Sequence, residues 1–109
     1  MTRTTIKTAS VHNNDTLSVS PDIKAILPDV LIEYLWKLAL SESWKEYEEQ
    51  LFILKTGELS GQNIQDICHV CNYGDSMDTR RVYGVEPVNC TLQILNFQNG
   101  YQMQLCRDV

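Results

Sequence analysis

Four cysteines in the C-terminal half of the chain are the residues whose type and spacing most directly predict chemistry. Cys68 and Cys71 are separated by two residues, a spacing that lets two thiolates bind one tetrahedral zinc ion. Cys90 and Cys106 complete a set of four, which is a full ligand set for structural zinc. We therefore predict a closed, non-catalytic zinc site formed by Cys68, Cys71, Cys90 and Cys106, because four protein ligands leave no open position for an activated water.

Three alternatives to this ligand set stay open. His69 replaces Cys106 as a ligand if the strand register directs Cys106 away from the others. Cysteines also pack in protein cores as small hydrophobic residues without any metal. A dithiol redox site is the third alternative, although a redox-active Cys-x-x-Cys usually begins a helix, whereas the residues after Cys71 have the composition of a loop.

No catalytic constellation is recognisable elsewhere in the sequence. His12 and His69 are the only histidines, and neither a Gly-rich phosphate loop nor a serine in a nucleophile elbow is present. The 9 basic and 14 acidic residues give a net charge of -5, which argues against direct binding to a phosphate backbone and favours a basic protein partner. Candidate contact residues, chosen for charge and expected exposure, are Glu46, Glu48, Glu49 and Trp44.

The length of 109 residues predicts a single domain, residues 1–109. We also predict a cytoplasmic location. No apolar run after the first residues is long enough for a signal peptide, and none elsewhere is long enough for a membrane span. Residues 1–22 are rich in Thr, Ser, Asn and Asp, which predicts a short edge strand or a mobile arm.

The clearest secondary-structure signal is a helix that begins at Pro28 and continues to about Ser41. Proline is tolerated at the first helical position, and Asp29 places a negative charge near the positive end of the helix. Apolar residues recur at helical spacing on one side. They are Val30, Leu31, Tyr34, Leu35, Leu38 and Ala39.

Strand-like segments follow the helix. Residues 50–54 form a short apolar run, residues 64–70 form a returning strand, residues 72–79 have loop composition, and Val82-Tyr83 predicts a short strand. The Asn99-Gly100 pair predicts a two-residue hairpin turn between strands at residues 88–97 and 101–106. Counting outward from that turn places Ile94 opposite Leu105, with Cys106 on the face away from the core.

These segments predict an α+β fold in which one main helix packs on a mostly antiparallel sheet of four to five strands, ending in a C-terminal β-hairpin. The predicted zinc site joins that hairpin to the loop at Cys68.

A resemblance to a known family covers about residues 24–72. It is carried by Leu27-Pro28, Leu31, Leu35-Trp36 and Leu38, then by Gln50, Phe52 and Leu54, and finally by Ile67-x-His69. These residues resemble a small uncharacterised family found in Firmicutes and their phages. Because most of the shared positions are apolar core residues, the resemblance implies a fold rather than a function, and the cysteines are not part of the shared pattern.

In size, acidity and phage background the chain also resembles anti-CRISPR proteins, the small inhibitors that phages direct against Cas nucleases. This resemblance implies a non-enzymatic inhibitor, stabilised by zinc, that binds a basic nuclease such as Cas9 in the host cytoplasm and blocks nucleic-acid loading or cleavage. The alternative is a structural or regulatory adaptor that binds a protein of the bacterial host or phage. A small dithiol redox protein is a third hypothesis.

Overall fold

The computed structural model describes residues 16–71, 76–97 and 99–106, in which two helices and six strands form an α+β fold. The elements are β1 (Thr16–Val19), α1 (Pro21–Ile26), α2 (Asp29–Ala39), β2 (Glu49–Leu59), β3 (Gln62–Cys71), β4 (Met77–Val82), β5 (Cys90–Phe97) and β6 (Gly100–Leu105). The sheet order is β1-β6-β5-β2-β3-β4, with β1 parallel to β6 and all other neighbouring pairs antiparallel. The predictions of an α+β fold and a C-terminal hairpin are therefore confirmed, and the sheet and helix layer are each larger than predicted.

The N-terminal part of the described chain contributes one edge strand and one additional helix. β1 pairs with β6, and α1 begins directly afterwards at Pro21, with Asp22 in its first turn. Proline at the start of a helix removes an N–H that has no partner in the helix. The predicted edge strand is thus found at Thr16–Val19, and the rest of that prediction, residues 1–15, lies outside the described residues.

α2 supplies the main helical face of the core. Pro28 precedes the helix as its N-cap residue, and the helix ends at Ala39. The buried residues of α2 are Leu31, Ile32, Leu35, Trp36 and Ala39, whereas Val30 is 59% exposed. These buried residues of α2 form one hydrophobic cluster with residues of β1, α1 and the inner faces of β2, β3, β5 and β6. Within the described ranges, neither helix is long and apolar enough to cross a membrane.

β2 and β3 form a long hairpin at the centre of the sheet. Their register runs without interruption from Gln50 opposite Cys71 to Leu59 opposite Gln62. The two turn residues, Ser60 and Gly61, have φ values of 53° and 80°. Both central positions of a type I′ turn need positive φ, and this turn has the twist that continues into two antiparallel strands. The hairpin therefore extends well beyond the predicted run at residues 50–54.

The predicted register of the C-terminal hairpin is wrong by two residues. Phe97 pairs with Gly100 and Ile94 pairs with Met103, so Gly100 already belongs to β6 and is not part of the turn. A side chain at Gly100 would collide with the backbone of Thr16, its partner in the parallel strand β1. Gly100 therefore permits the close approach of β1. A shift of two preserves the side-chain alternation, so Leu92 and Ile94 still face the core.

The prediction of a loop at residues 72–79 is wrong for residues 77–79, because β4 begins at Met77, and residues 72–75 lie outside the described residues. Residues 83–89 then connect β4 to β5 across the sheet, since β3 and β2 lie between those two strands. Gln65 holds this connection: its side-chain amide donates to the Val88 carbonyl at 3.0 Å and accepts from the Val88 N–H at 2.7 Å. Asn89 adds a bond from the Thr56 N–H to its side-chain oxygen at 2.9 Å.

Candidate functional site

The two cysteines of the Cys-x-x-Cys motif both lie within β3, where a strand directs them to opposite faces of the sheet. Cys71 is buried on the face that also carries Ile67 and His69, whereas Cys68 is half-buried on the other face. Successive side chains of a strand alternate, so residues three apart cannot share one face. The motif places two thiols near one ion when it lies in a turn, and in β3 it does not.

Cys90 and Cys106 lie near each other at the opposite side of β2. Cys90 begins β5, and Cys106 follows β6, with its N–H bonded to the Thr91 carbonyl at 2.9 Å. Burial raises the pKa of the Cys90 thiol, and the neighbouring Cys106 raises it further. A raised pKa keeps a thiol protonated at neutral pH, which is the reverse of the shift found in activated redox cysteines.

The described residues do not bring the predicted metal ligands together. Cys68 lies in one row across the open face with Ile53, Thr91 and Cys106, three strand spacings from Cys106. That separation is about 14 Å, far more than two sulfur ligands of one zinc ion allow. Across the described ranges, no three His, Cys, Asp or Glu residues form a group that could hold a metal. The zinc site of four cysteines, or of three with His69, stays a prediction.

The most elaborate side-chain arrangement instead surrounds residues 41–48, which connect α2 to β2 and which we call the acidic turn. Its backbone carbonyls accept hydrogen bonds from β5 and β6. Asn96 and Tyr101, from β5 and β6, each donate to the Lys45 carbonyl at 3.3 Å, and the Asn96 N–H donates to the Glu48 carbonyl at 2.9 Å. The acidic turn is therefore fixed against the end of the sheet.

Gln50, at the start of β2, holds the same turn from beneath. Its side-chain N–H groups donate to the carbonyls of Ala39 at 3.0 Å and Trp44 at 2.9 Å, so one side chain ties the end of α2 to the acidic turn. The Gln50 oxygen lies 2.7 Å from Nε2 of His69. Because the Gln50 nitrogen already donates twice, its oxygen must accept, and His69 Nε2 must carry the hydrogen. Gln50 is fully buried, and both its side-chain nitrogen and its side-chain oxygen are hydrogen-bonded.

His69 lies in a stack of three rings. The Trp44 ring packs on one side with centroids 3.6 Å apart, and the Phe52 ring packs on the other side at 4.0 Å. Trp44 in turn donates from Nε1 to the Asp78 carboxylate at 3.1 Å, which links the acidic turn to β4. The stack therefore joins the acidic turn, β2, β3 and β4 through buried or half-buried contacts.

Burial lowers the pKa of His69 to about 4. The carboxylate of Asp78 opposes this effect, and the charge of Arg80 adds to it. His69 is consequently neutral at physiological pH, which agrees with its single Nε2 hydrogen bond to Gln50. The ring functions here as a buried, uncharged donor that positions Trp44 and Gln50.

The exposed side of the acidic turn carries carboxylates. Glu42, Glu46 and Glu48 are exposed and Glu49 is half-buried. Glu42 forms an ion pair with Lys45 at 3.1 Å, whereas Glu46 and Glu48 form no ion pair with any described residue. The acidic turn thus presents two carboxylates that no described residue neutralises, on a backbone held by hydrogen bonds to several strands.

The four contact residues predicted from the sequence differ in exposure. Glu46 and Glu48 are exposed as expected, but the expectation of an exposed Trp44 is wrong, since only 4% of Trp44 is exposed. Its indole packs against His69 because the turn folds back over the sheet end. Sequence reasoning missed Gln50 as a central residue. The only local signal is a polar residue at the start of an apolar strand.

Comparison of the chain with protein-family models, with curated proteins and with solved structures finds no match.

Proposed function

We propose that this chain is a non-enzymatic inhibitor that uses the acidic turn to bind a basic, nucleic-acid-binding nuclease of the Cas9 type in the cytoplasm of a bacterial host. The observation that carries the proposal is a pair of exposed carboxylates, Glu46 and Glu48, that no described residue neutralises, on a turn fixed by Gln50 and His69. A nuclease groove that binds phosphates contains Lys and Arg side chains, and a carboxylate-bearing surface can occupy the same groove.

The fixed backbone of the acidic turn supports binding in a second way. Association costs free energy when loops and side chains become ordered, and a turn that is already ordered avoids part of that cost. Hydrogen bonds from Gln50, Asn96 and Tyr101 hold the carbonyls of Trp44 and Lys45 before any partner arrives. Blocking of nucleic-acid loading or cleavage follows if the turn occupies the groove that the nucleic acid needs.

The experiment compares two charge-reversed double variants of the full chain as inhibitors of DNA cleavage by a Cas9-type nuclease. Glu46→Lys with Glu48→Lys reverses the acidic turn, and Glu58→Lys with Glu86→Lys makes the same change in net charge elsewhere on the exposed surface. We expect the first variant to inhibit at least about tenfold more weakly than the second, with a gap that narrows as salt is raised.

Equal inhibition by the two variants contradicts a role for the acidic turn. Absence of inhibition by the wild-type chain at low salt contradicts the choice of a Cas9-type nuclease. If a different host protein is then retained by the wild type and lost with the first variant, the adaptor hypothesis replaces the inhibitor hypothesis.

A further inference from the structure

β4 is an edge strand that is exposed on both faces. Residues 77–81 are all exposed, and only Val82 is half-buried. On one side β4 pairs with β3 in a register without a bulge, and on the other side no described strand pairs with it. Natural proteins protect such edges with bulges, prolines, very short strands or charged side chains. Of these, the six residues of β4 have only the charges of Asp78, Arg80 and Arg81, which limit the strands that this edge can accept. The other edge strand, β1, has four residues within the described chain and is separated from Pro21 by one residue.

The hydrogen-bond pattern shows which backbone groups of β4 face outward. The Cys71 N–H donates to the Ser76 carbonyl at 3.3 Å, so Ser76 belongs to a hydrogen-bonded pair with β3. In an antiparallel ladder alternate residues bond to the same neighbour. Asp78 and Arg80 therefore bond toward β3, while the N–H and C=O groups of Met77, Thr79 and Arg81 point away from the sheet.

The charges on β4 form a self-complementary pattern. Asp78 and Arg80 flank Thr79 and lie on the same face, since they are two residues apart. Arg81 already forms an ion pair with Asp66 of its own chain at 3.2 Å. Arg80 forms no ion pair with any described residue, and one carboxylate oxygen of Asp78 accepts from Trp44. Asp78 and Arg80 thus present opposite charges on either side of one central residue.

We propose that β4 pairs antiparallel with β4 of a second copy of this chain, about a two-fold axis centred on Thr79. Rotation about an axis perpendicular to the sheet leaves each side chain on the same face of the sheet. Asp78 therefore lies opposite the partner's Arg80, and Arg80 lies opposite the partner's Asp78. The outward N–H and C=O groups of Met77 in one copy form hydrogen bonds with those of Arg81 in the other copy. The result is a continuous sheet of twice the width.

The charges also select this register over its neighbours. An axis centred on Asp78 places the two Asp78 carboxylates opposite each other, and one centred on Arg80 does the same with the two guanidinium groups. Like charges directly opposite each other destabilise a strand pair, and opposite charges stabilise it. Centring on Thr79 gives two attractive pairs and no repulsive one. This selectivity is the reason for proposing a second copy rather than an unrelated strand as the occupant.

The test measures the mass of the full chain in solution by sedimentation velocity over a range of concentrations. We expect a dimer for the wild type, and a dissociation constant about tenfold or more higher for Arg80→Asp and for Asp78→Arg, because each creates two like-charge pairs. An equimolar mixture of these two variants should dimerise again, since each chain then supplies what the other lacks. Recovery on mixing shows that residues 78 and 80 face charged residues of the other chain, rather than acting only within their own chain.

Two further variants keep the test decisive if Asp78→Arg loses the Trp44 bond and does not fold. Thr79→Pro removes an outward N–H without removing a bond to β3, and it should weaken the dimer while circular dichroism shows the fold retained. Lys24→Asp makes the same charge change as Arg80→Asp on an exposed residue of α1, which packs near β6 at the other side of the sheet, and it should leave the dimer intact. A monomeric wild type, or a dimer that Arg80→Asp leaves unchanged, overturns the proposal.

Discussion

Two parts of the core are held together by different kinds of interaction. Under the helices the buried side chains are aliphatic and aromatic, and Leu35 and Trp36 of α2 are completely buried. At the end of the sheet beneath the acidic turn, two buried side chains are polar, Gln50 and His69. They are joined by a hydrogen bond, and His69 also stacks between the rings of Trp44 and Phe52. The first part depends on area removed from water, and the second depends on each polar atom having its partner.

The two parts also differ in how they tolerate an unsatisfied group. The indole N–H of Trp36 is buried under the helices with no hydrogen-bond partner among the described residues, and surrounding apolar contacts offset that cost. Gln50, in contrast, uses its nitrogen and its oxygen, in bonds of 2.7–3.0 Å. The helical part therefore tolerates an unpaired polar group but is destabilised by loss of side-chain volume, whereas the network is destabilised by loss of one hydrogen-bond partner.

Loss of volume under the helices should have the largest effect. Leu35→Ala removes a completely buried side chain from α2 and leaves a cavity, so we expect the free energy of unfolding to fall by about 4 kcal/mol. Val30→Ala on the same helix is the matched control, since Val30 is 59% exposed, and it should change stability by less than about 0.5 kcal/mol. Urea unfolding followed by circular dichroism measures both. Similar losses for the two variants would contradict the placement of α2.

Acid should act on the network and not on the helical part. The pKa of His69 is about 4 in the fold, below its ordinary value of 6.5, so the unfolded chain binds more protons between those pH values. The free energy of unfolding therefore falls as pH falls from 6.5 to 4, by about 3 kcal/mol from this residue. His69→Phe keeps a ring between Trp44 and Phe52 and removes this pH dependence. If both proteins lose the same stability between these pH values, His69 is not buried as described.

The sequence predicts that α2 forms part of the core, but it does not predict which side of α2 is buried. Helical spacing correctly predicts α2, but apolar residues cover more than half of its circumference, including Val30, Ile32 and Trp36. A local pattern cannot then select the buried side, and the sheet covers Ile32 and Trp36 rather than Val30. The C-terminal hairpin shows the same limit. Gly100 is required by a parallel strand far away in the sequence, which no local turn rule contains.

The candidate site could be predicted only in part, for a related reason. The acidic residues Glu46 and Glu48 are visible in the sequence, and their exposure follows from their charge. The network beneath them joins α2, the acidic turn, β2 and β3, so its members come together only through the sheet topology. The Cys-x-x-Cys spacing predicts a shared site only if the segment is a turn, and Cys68 to Cys71 lie in a strand.

The smallest expected effect is the coupling between Gln50 and His69, and it separates the network from simple packing. Gln50→Leu and His69→Phe are each destabilising, but after either change the 2.7 Å bond between the two side chains is already lost. The double variant should therefore be about 1 kcal/mol more stable than the sum of the two single losses predicts. A double-mutant cycle in urea measures this difference at neutral pH, where His69 is neutral. Because Gln50 also holds the carbonyls of Ala39 and Trp44, its substitution should remain destabilising in the His69→Phe background. Strict additivity would mean that the two side chains contribute only as separate packing elements.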